Sequence, residues 1–322
     1  MTEPLLRRLA ARGERISVAA LAWIAPLYRA MPQGAEVIEL PFGHGGLQWS
    51  ARRALGRQLQ GRFDTAYVLP NSFKSALLPW FAGIAQRVGY LGEARWPLLT
   101  QRLPNPRKDQ RPPMVAFYSA LSGEPGTQAD QPRLHIDAAQ AQATLHNLGL
   151  APGAYCVFAP GSEYGSAKRW PATHYAELAR SVHAAQGLPV LLLGSAKEAA
   201  LCAHIAALAP DLCHNAAGKT SLTQALHAIA ATKFIVSNDS GLMHVAAALG
   251  VPQVALFGSS DPRHTPPLSR HAQVLWLKTD PAYQPALDCA PCFARECPLG
   301  HTRCLQDLLP SRVMPALAQA LG

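Results

Sequence analysis

Short runs of wholly apolar residues alternate with longer helix-like stretches along most of this 322-residue chain. A strand that is apolar on both faces needs cover on both faces, which parallel sheets flanked by helices provide. The alternation therefore predicts an α/β protein with parallel sheets. The predicted strands are residues 16–23, 36–40, 65–69, 155–159, 189–193, 234–237 and 253–257, and the predicted helices include 172–185, 197–208, 221–230 and 241–249.

The length of the chain and one atypical segment predict two domains. Domains usually have roughly 100–200 residues. Residues 104–132 are rich in proline, glycine, glutamine and charged side chains, as linkers are. We place the boundary near residue 150, where Ala151-Pro152-Gly153 precede a strand, so the predicted domains are residues 1–150 and 151–322.

The first residues predict a helix. Thr2-Glu3-Pro4 is followed by leucines at positions 5, 6 and 9, and proline is favoured in a first helical turn. Because an α/β domain of this kind normally opens with a strand, we expect the first strand of the domain to be missing from this sequence.

The positive charge is concentrated in one part of the chain. The net charge is +9, and residues 1–111 hold 16 lysines and arginines against 7 acidic residues, so the whole surplus lies there. This asymmetry predicts that the first domain meets an anionic partner. The alternative is a solvated basic surface that aids solubility.

Three features predict a cytoplasmic protein. The longest nearly apolar run, residues 76–85, is far below the ~20 residues that span a bilayer. The first fifteen residues lack the apolar core of a signal peptide. Seven cysteines without an export signal indicate a reducing compartment.

A first candidate site loop, residues 160–171, follows a predicted buried strand. Ligands of open α/β sheets bind at this end of the strands. Gly161 and Ser162 offer backbone N–H groups, and Lys168 offers a compact positive charge suited to phosphate. The alternative is an ordinary strand-to-helix loop with a solvated Lys-Arg pair.

A second candidate loop, residues 237–244, also connects a strand to a helix. We expect Asp239 or Ser240 to cap that helix, so that the amides of Ser240 and Gly241 face an anion at its positive end. His244, one turn later, has the chemistry to bind a phosphate or a sugar hydroxyl. The alternative is a simple helix cap with a buried, satisfied histidine, but two such loops in one domain predict a diphosphate site.

Other site motifs are missing or irregular. The dinucleotide and Walker patterns are absent, which disfavours NAD chemistry and P-loop hydrolysis. Cys289, Cys292, Cys297 and Cys304, with His301 nearby, match no standard zinc or iron–sulfur spacing. We therefore expect free, partly buried thiols rather than a metal site, with bound metal as the alternative.

Taken together, these segments resemble the ADP-heptose:lipopolysaccharide heptosyltransferases of glycosyltransferase family 9, and most closely their type II members. The resemblance runs nearly end to end. It rests on residues 40–45, 67–76, 160–171, 237–244, 256–260, 264–268 and the cysteine segment 289–304.

The resemblance implies a GT-B fold, with two Rossmann-like domains facing a cleft. It implies inverting transfer of L-glycero-D-manno-heptose from ADP-heptose to the first heptose of the lipopolysaccharide inner core. The C-terminal domain would bind the donor, and the N-terminal domain the anionic lipid A–inner core acceptor. No cofactor or divalent metal is implied, because a lysine and a helix dipole take the metal's place.

The same resemblance assigns the site and the location. Lys168 and Asp239 are the predicted catalytic residues, with Lys168 neutralising the ADP leaving group and Asp239 and His244 contacting the donor. We expect peripheral contact with the cytoplasmic face of the inner membrane. The full predicted donor site is Gly161, Ser162, Lys168, Asp239, Ser240, Gly241, Met243 and His244.

One element of the family pattern does not occur in this sequence. Family members carry a general-base aspartate in a Gly-Asp loop just before the segment matching residues 1–4, and we expect a misassigned or truncated start and poor activity. Mass spectrometry of the native N-terminus tests this. The alternatives are a family 9 enzyme with another acceptor, an inactive binder, or a nucleic-acid-binding protein, which is disfavoured because no such motif accompanies the basic residues.

Overall fold

A computed structural model describes residues 1–43, 45–107, 110–125 and 130–322. His44 of the 40–45 motif, Lys108 and Asp109 of the basic segment, and positions 126–129 of the predicted linker lie outside the described residues. The chain divides into two compact units, Met1–Asp130 and Gln131–Gly322. This division falls before the position near residue 150 that the sequence suggested.

The difference concerns one helix, Ala138–Asn147. It belongs to the second unit because it packs there: Leu145 is buried, and Thr144 Oγ1 lies 2.7 Å from Nδ1 of the buried His227. The Pro- and Gly-rich composition of residues 104–132 marks the change of unit better than the next strand does.

The first unit contains two parallel sheets, of two and three strands. The two-stranded sheet pairs Ser17 with Glu36, and the three-stranded sheet pairs Thr65 with Gln86 and Val88 with Gln101. Its strands are β1 Ser17–Leu21, β2 Glu36–Leu40, β3 Thr65–Val68, β4 Gln86–Tyr90 and β5 Gln101–Leu103; its helices are α1 Glu3–Ala11, α2 Ala25–Arg29, α3 Trp49–Gln58, α4 Phe73–Phe81 and α5 Met114–Ser119.

The helix predicted at the start of the chain is confirmed. Pro4 lies in the first turn of α1, and Leu5, Leu6 and Leu9 form its buried stripe. Two of these leucines pack with Tyr90 and Phe117, whose rings stack at a centroid distance of 3.8 Å. The leucines of α1 are spaced so that they lie on one face, and their packing holds α1 against the three-stranded sheet.

The second unit is built on a six-stranded parallel sheet of order β8-β7-β6-β9-β10-β11. Its strands are β6 Cys156–Ala159, β7 Val190–Leu192, β8 Cys213–Asn215, β9 Ile235–Asn238, β10 Gln253–Phe257 and β11 Ala272–Trp276. Its helices are α6 Ala138–Asn147, α7 Ala172–Gln186, α8 Ala199–Leu208, α9 Leu222–Ala230, α10 Gly241–Leu249, α11 Arg303–Gln306 and α12 Pro310–Leu321.

This strand order is the doubly wound order of a Rossmann sheet. The chain runs outward from β6 through β7 to β8, then returns to β9 on the other side of β6. The direction therefore reverses between β6 and β9, and ligands of such sheets bind outside the carboxyl ends of the strands at this point.

The strands that the sequence failed to predict are β4, β5, β8 and β11. β5 and β8 are only three residues long, and β4 begins with the polar pair Gln86-Arg87. The half-exposed β11 lies at an edge of the sheet. Such strands lack the continuous apolar run of a fully buried strand.

Among the helices of the described ranges, none combines the length and the apolar character needed to cross a bilayer.

Candidate active site

Both candidate loops begin at the switch point of the second unit's sheet. Ala159, the last residue of β6, pairs with Ser237 of β9, so the two neighbouring strands end side by side. The loop from Pro160 and the loop from Asp239 therefore leave the same edge of the sheet. The structure brings together two segments that the sequence identified separately.

Asn238 links the two loops. Its side chain is fully buried, and its Nδ2 donates a 2.6 Å hydrogen bond to the carbonyl of Pro160. Its Oδ1 accepts from the backbone N–H of Trp170 at 3.2 Å and from the hydroxyl of Tyr175 at 3.1 Å. Asn238 was given no role from the sequence, although an amide at the end of an otherwise apolar strand signals a buried polar contact.

Lys168 and Asp239 form an ion pair between the loops. Lys168 Nζ donates to Asp239 Oδ2 at 2.5 Å, and the two side chains are 17% and 7% exposed. The Asp239 carboxylate therefore fixes the ammonium group of Lys168 at the carboxyl ends of the strands. The pair unites the two residues predicted to be catalytic.

The turn that carries Lys168 depends on Gly165. Its backbone has φ 156° and ψ 174°, a combination that essentially only glycine adopts. A Cβ atom at Gly165 would lie 2.2 Å from the carbonyl oxygen of Arg295. The same oxygen accepts a 3.0 Å hydrogen bond from the N–H of Ala167. The chain around Arg295 therefore supports the lysine turn directly.

Further contacts join the cysteine segment to the same turn. The hydroxyl of Tyr164 donates to the carbonyl of Phe293 at 2.7 Å, and the N–H of Phe293 donates to the carbonyl of Ser259 at 2.8 Å. The ring of Tyr164 lies 5.0 Å from Lys168 Nζ and 5.4 Å from the guanidinium of Arg295. These supporting residues were missed by the sequence analysis because only the fold brings them together.

The N-terminus of α10 is open toward this edge. Ser240 is the N-cap residue, but neither predicted cap is formed: the Ser240 hydroxyl makes no capping bond, and Asp239 is paired with Lys168. The buried Ser240 hydroxyl oxygen has no hydrogen-bond partner within the part of the chain that the structure describes. The first amides of α10, including that of Gly241, are therefore left uncapped by a side chain, as an anion site requires.

The remaining predicted donor residues differ in their placement. Gly161 and Ser162 are buried, and a Cβ at Gly161 would overlap the carboxylate of Glu198. Met243 is fully buried against Phe257 and Trp276, so its side chain belongs to the core.

His244 is half-buried on the first turn of α10. Burial lowers its pKa below the ordinary value, and the nearby charges of Asp239 and Lys168 act in opposite directions. Its imidazole is therefore neutral at pH 7. It can exchange hydrogen bonds with a ligand but supplies no charge.

All seven cysteines are free thiols. Cys289, Cys292, Cys297 and Cys304 line one small cavity together with His301. Within the described ranges, no group of three or more histidine, cysteine or acidic side chains is placed to hold a metal ion.

The thiols of this cavity differ in acidity. Burial raises the pKa of Cys304 to about 11. At Cys297, burial acts to raise the pKa, but backbone N–H groups, among them that of Thr302 at 3.4 Å from Sγ, outweigh it and lower the pKa. The thiol of Cys297 therefore ionises more readily than that of a free cysteine.

The motif at residues 67–76 lies in the first unit, at the carboxyl end of β3. The fully buried Arg95 donates to Asn71 Oδ1 at 3.0 Å and to the carbonyl of Tyr90. Lys74 Nζ donates to the carbonyl of Gly45 at 2.7 Å. These contacts order the loop that follows β3 in the first unit.

Comparison with known proteins identifies the family. Residues 52–302 match the profile of Glycosyltransferase family 9 (heptosyltransferase), a span that includes both site loops and almost all of the cysteine segment. The chain belongs to glycosyltransferase family 9. It is 44% identical over 335 residues to lipopolysaccharide heptosyltransferase 2 of Escherichia coli (strain K12), covering 98% of this chain and 93% of that protein.

Two further comparisons agree. Lipopolysaccharide heptosyltransferase 2 of Salmonella typhimurium is 42% identical over 340 residues, covering 100% of this chain and 94% of the relative. The solved structure of E. coli ADP-heptose lps heptosyltransferase II superposes with a TM-score of 0.82 at 40% identity, covering 99% and 94% of the two chains. The family and the α/β, GT-B fold class predicted from the sequence are confirmed.

Proposed function

We propose that this family 9 glycosyltransferase moves L-glycero-D-manno-heptose from ADP-heptose to the first heptose of the lipopolysaccharide inner core, with inversion at the anomeric carbon. One observation carries the proposal: the Lys168–Asp239 pair lies beside the uncapped start of α10 at the switch point of a Rossmann sheet. The names of the relatives supply the substrate class.

The transfer needs stabilisation of a leaving diphosphate. A bond forms between the acceptor hydroxyl oxygen and the anomeric carbon, while the bond from that carbon to the ADP oxygen breaks and its electron pair leaves with ADP. The proton of the acceptor hydroxyl passes to water or to the released ADP. Negative charge therefore grows on the diphosphate, where the Lys168 ammonium and the N–H groups of α10 would meet it.

Asp239 and His244 would assist in different ways. Asp239 holds the lysine ammonium at 2.5 Å before the donor arrives, which lowers the cost of ordering a flexible side chain. The neutral His244 would hydrogen-bond a phosphate oxygen or a sugar hydroxyl without adding charge. Gly161 and Ser162 would offer backbone N–H groups to the donor, while the glycine also makes room for the Glu198 carboxylate.

No cofactor is part of this proposal. The charge of the leaving group is met by a lysine and a helix start, a combination that replaces the divalent cation used by other transferases. Undiminished turnover in excess EDTA is the expected result. A loss of turnover that Mg²⁺ or Mn²⁺ restores would contradict this part of the proposal.

We further propose that the first unit binds the anionic lipid A–inner core acceptor and brings the enzyme into peripheral contact with the cytoplasmic face of the inner membrane. The support is its charge, because the whole surplus of +9 lies in residues 1–111. Phosphate groups of a lipid core are suitable partners for such a surface. Nucleic acid has no part in this proposal.

Donor binding is tested by the thermal shift that ADP produces. Lys168→Ala is expected to abolish most of the ADP-induced rise in melting temperature, since a charge-assisted contact is lost. Lys233→Ala is the matched control, because Lys233 is exposed and precedes β9, at the opposite end of that strand. Equal ADP shifts in both variants would contradict the assignment of Lys168.

A further inference from the structure

An exposed aromatic cluster lies where α3 begins and α4 ends. It consists of Trp49, the first residue of α3, and Trp80 and Phe81, the last two of α4. The rings of Trp49 and Phe81 meet edge to face at 4.9 Å, and those of Trp80 and Phe81 lie 5.0 Å apart. Trp49 is 45% and Trp80 44% exposed. Grouped exposed aromatic residues of this kind mark an interaction surface.

The packing of α3 on α4 keeps the aromatic cluster at the surface. A Cβ at Gly56 would lie 2.5 Å from the Cβ of Phe81, so the two helices approach as closely as glycine allows. Beneath the cluster, Leu77 and Leu78 are already buried in the core. The core next to α4 is therefore filled by leucine side chains, and the tryptophan rings lie outside it.

Positive charge accompanies the aromatic cluster on the same helix. Arg53 and Arg57 follow Trp49 at four-residue intervals, so the three side chains lie on one face of α3. Both arginines are exposed, and neither forms an ion pair with any residue in the described ranges.

The surrounding sequence adds almost no negative charge. From Pro41 to Gly92, six lysines and arginines stand against a single acidic residue, Asp64; of the six, Arg52 is buried and Arg62 is paired with Glu36, which precedes this range. The basic residues of a partner protein with mixed charges would have few acidic residues to pair with on this surface. A surface of uniform negative charge is the better complement.

We infer that the aromatic cluster, with Arg53 and Arg57, is the surface by which this chain docks on an anionic lipid bilayer. Tryptophan and phenylalanine rings favour the headgroup region, while arginines beside them meet lipid phosphates. The inference rests on the proposed function, in which the acceptor is a membrane lipid, and it specifies where the first unit touches the membrane.

Vesicle flotation with the full chain, without donor or acceptor, tests this inference. The wild-type chain is expected to float with vesicles of phosphatidylcholine and phosphatidylglycerol in equal amounts, and to remain below with phosphatidylcholine alone. Arg53→Glu/Arg57→Glu is expected to weaken binding more than about 10-fold, since each basic residue near such a surface contributes about 5-fold. Trp49→Ser/Trp80→Ser is expected to weaken binding to a similar degree.

Two matched variants control for charge and for exposed tryptophan. Lys219→Glu/Lys233→Glu makes the same change in net charge on exposed residues of the second unit, and Trp23→Ser changes a 63% exposed tryptophan outside α3 and α4. Both controls are expected to float like the wild-type chain. Circular dichroism and thermal melting without ligand, measured on every variant, show that each is folded. The ADP-induced thermal shift is measured separately on the wild-type chain.

The outcomes separate this inference from the proposed function. The docking surface is wrong if the wild-type chain does not float, if it floats equally with neutral vesicles, or if the controls lose binding as much as the paired variants. A chain that floats as expected but gives no ADP shift would retain the docking surface and contradict the proposed donor site instead.

Discussion

The ammonium of Lys168 lies 2.5 Å from the carboxylate of Asp239, although the two residues are 71 positions apart. Each belongs to a loop that leaves a different strand of one parallel sheet, and those strands are neighbours only because the sheet is doubly wound. The topology thus places a cation beside an uncapped helix start, and this juxtaposition underlies the proposed donor site.

The Asp239→Asn variant distinguishes the role of Asp239 in positioning Lys168 from any role in the affinity for ADP. The amide keeps the shape of the side chain but removes the charge that holds Lys168 and that opposes a bound diphosphate. We expect kcat to fall at least about 10-fold, while ADP binds equally well or more tightly. Steady-state kinetics and calorimetric titration with ADP measure the two effects. A parallel fall in kcat and ADP affinity would mean that Asp239 contacts the donor favourably.

Gly165→Ala is expected to displace the lysine turn. The added methyl group meets the Arg295 carbonyl at 2.2 Å, so the turn must move, and a shift of about 1 Å at a reacting group can cost 10²-fold in rate. Gly187→Ala is the control, because Gly187 also has positive φ, 68°, but has open space around its Cα. The control is expected to lose about 1 kcal/mol of stability and no activity per folded molecule.

Asn238→Ala is expected to destabilise the second unit. It leaves the Pro160 carbonyl, the Trp170 N–H and the Tyr175 hydroxyl without their buried partner. We expect the free energy of unfolding to fall by about 3 kcal/mol or more. Urea unfolding measures it, with Tyr175→Phe, which removes one of these bonds, expected to cost about 1 kcal/mol. Equal costs for both variants would show that the amide does not link the loops.

Alkylation of the native protein is expected to modify some of its thiols quickly and to leave the buried ones unmodified. Burial raises the pKa of Cys202 to about 12 and that of Cys213 to about 11, so these thiols remain protonated and shielded. Cys292 is exposed, and Cys297 has a lowered pKa. Treatment with iodoacetamide at pH 7, followed by peptide mass spectrometry, should label Cys292 and Cys297 first. Early labelling of Cys202 would contradict the described core.

Strand positions were predictable where the chain is apolar on both faces. β6, β9 and β10 are completely buried, and each falls within or next to a predicted run. β5 and β8 were missed because three residues are too few to show a period, and β11 because an edge strand carries a mixed pattern.

The two loops of the candidate site were predictable from the sequence, but the contacts between them were not. Their place after strands follows from local sequence, whereas the Lys168–Asp239 pair and the Asn238 hydrogen bonds depend on which strands are neighbours. Met243 is buried because its place on α10 turns it toward the core. The support that Arg295 gives to Gly165 spans more than a hundred residues, a distance over which no local pattern carries information.

The central claim is tested most directly by incubating the chain with ADP-heptose and a heptose-Kdo-lipid A acceptor. The expected result is release of ADP, addition of one heptose to the acceptor, and an inverted anomeric configuration by NMR, with Lys168→Ala slower by about 10²-fold or more. Unchanged turnover in Lys168→Ala, or a product with retained anomeric configuration, would contradict the account.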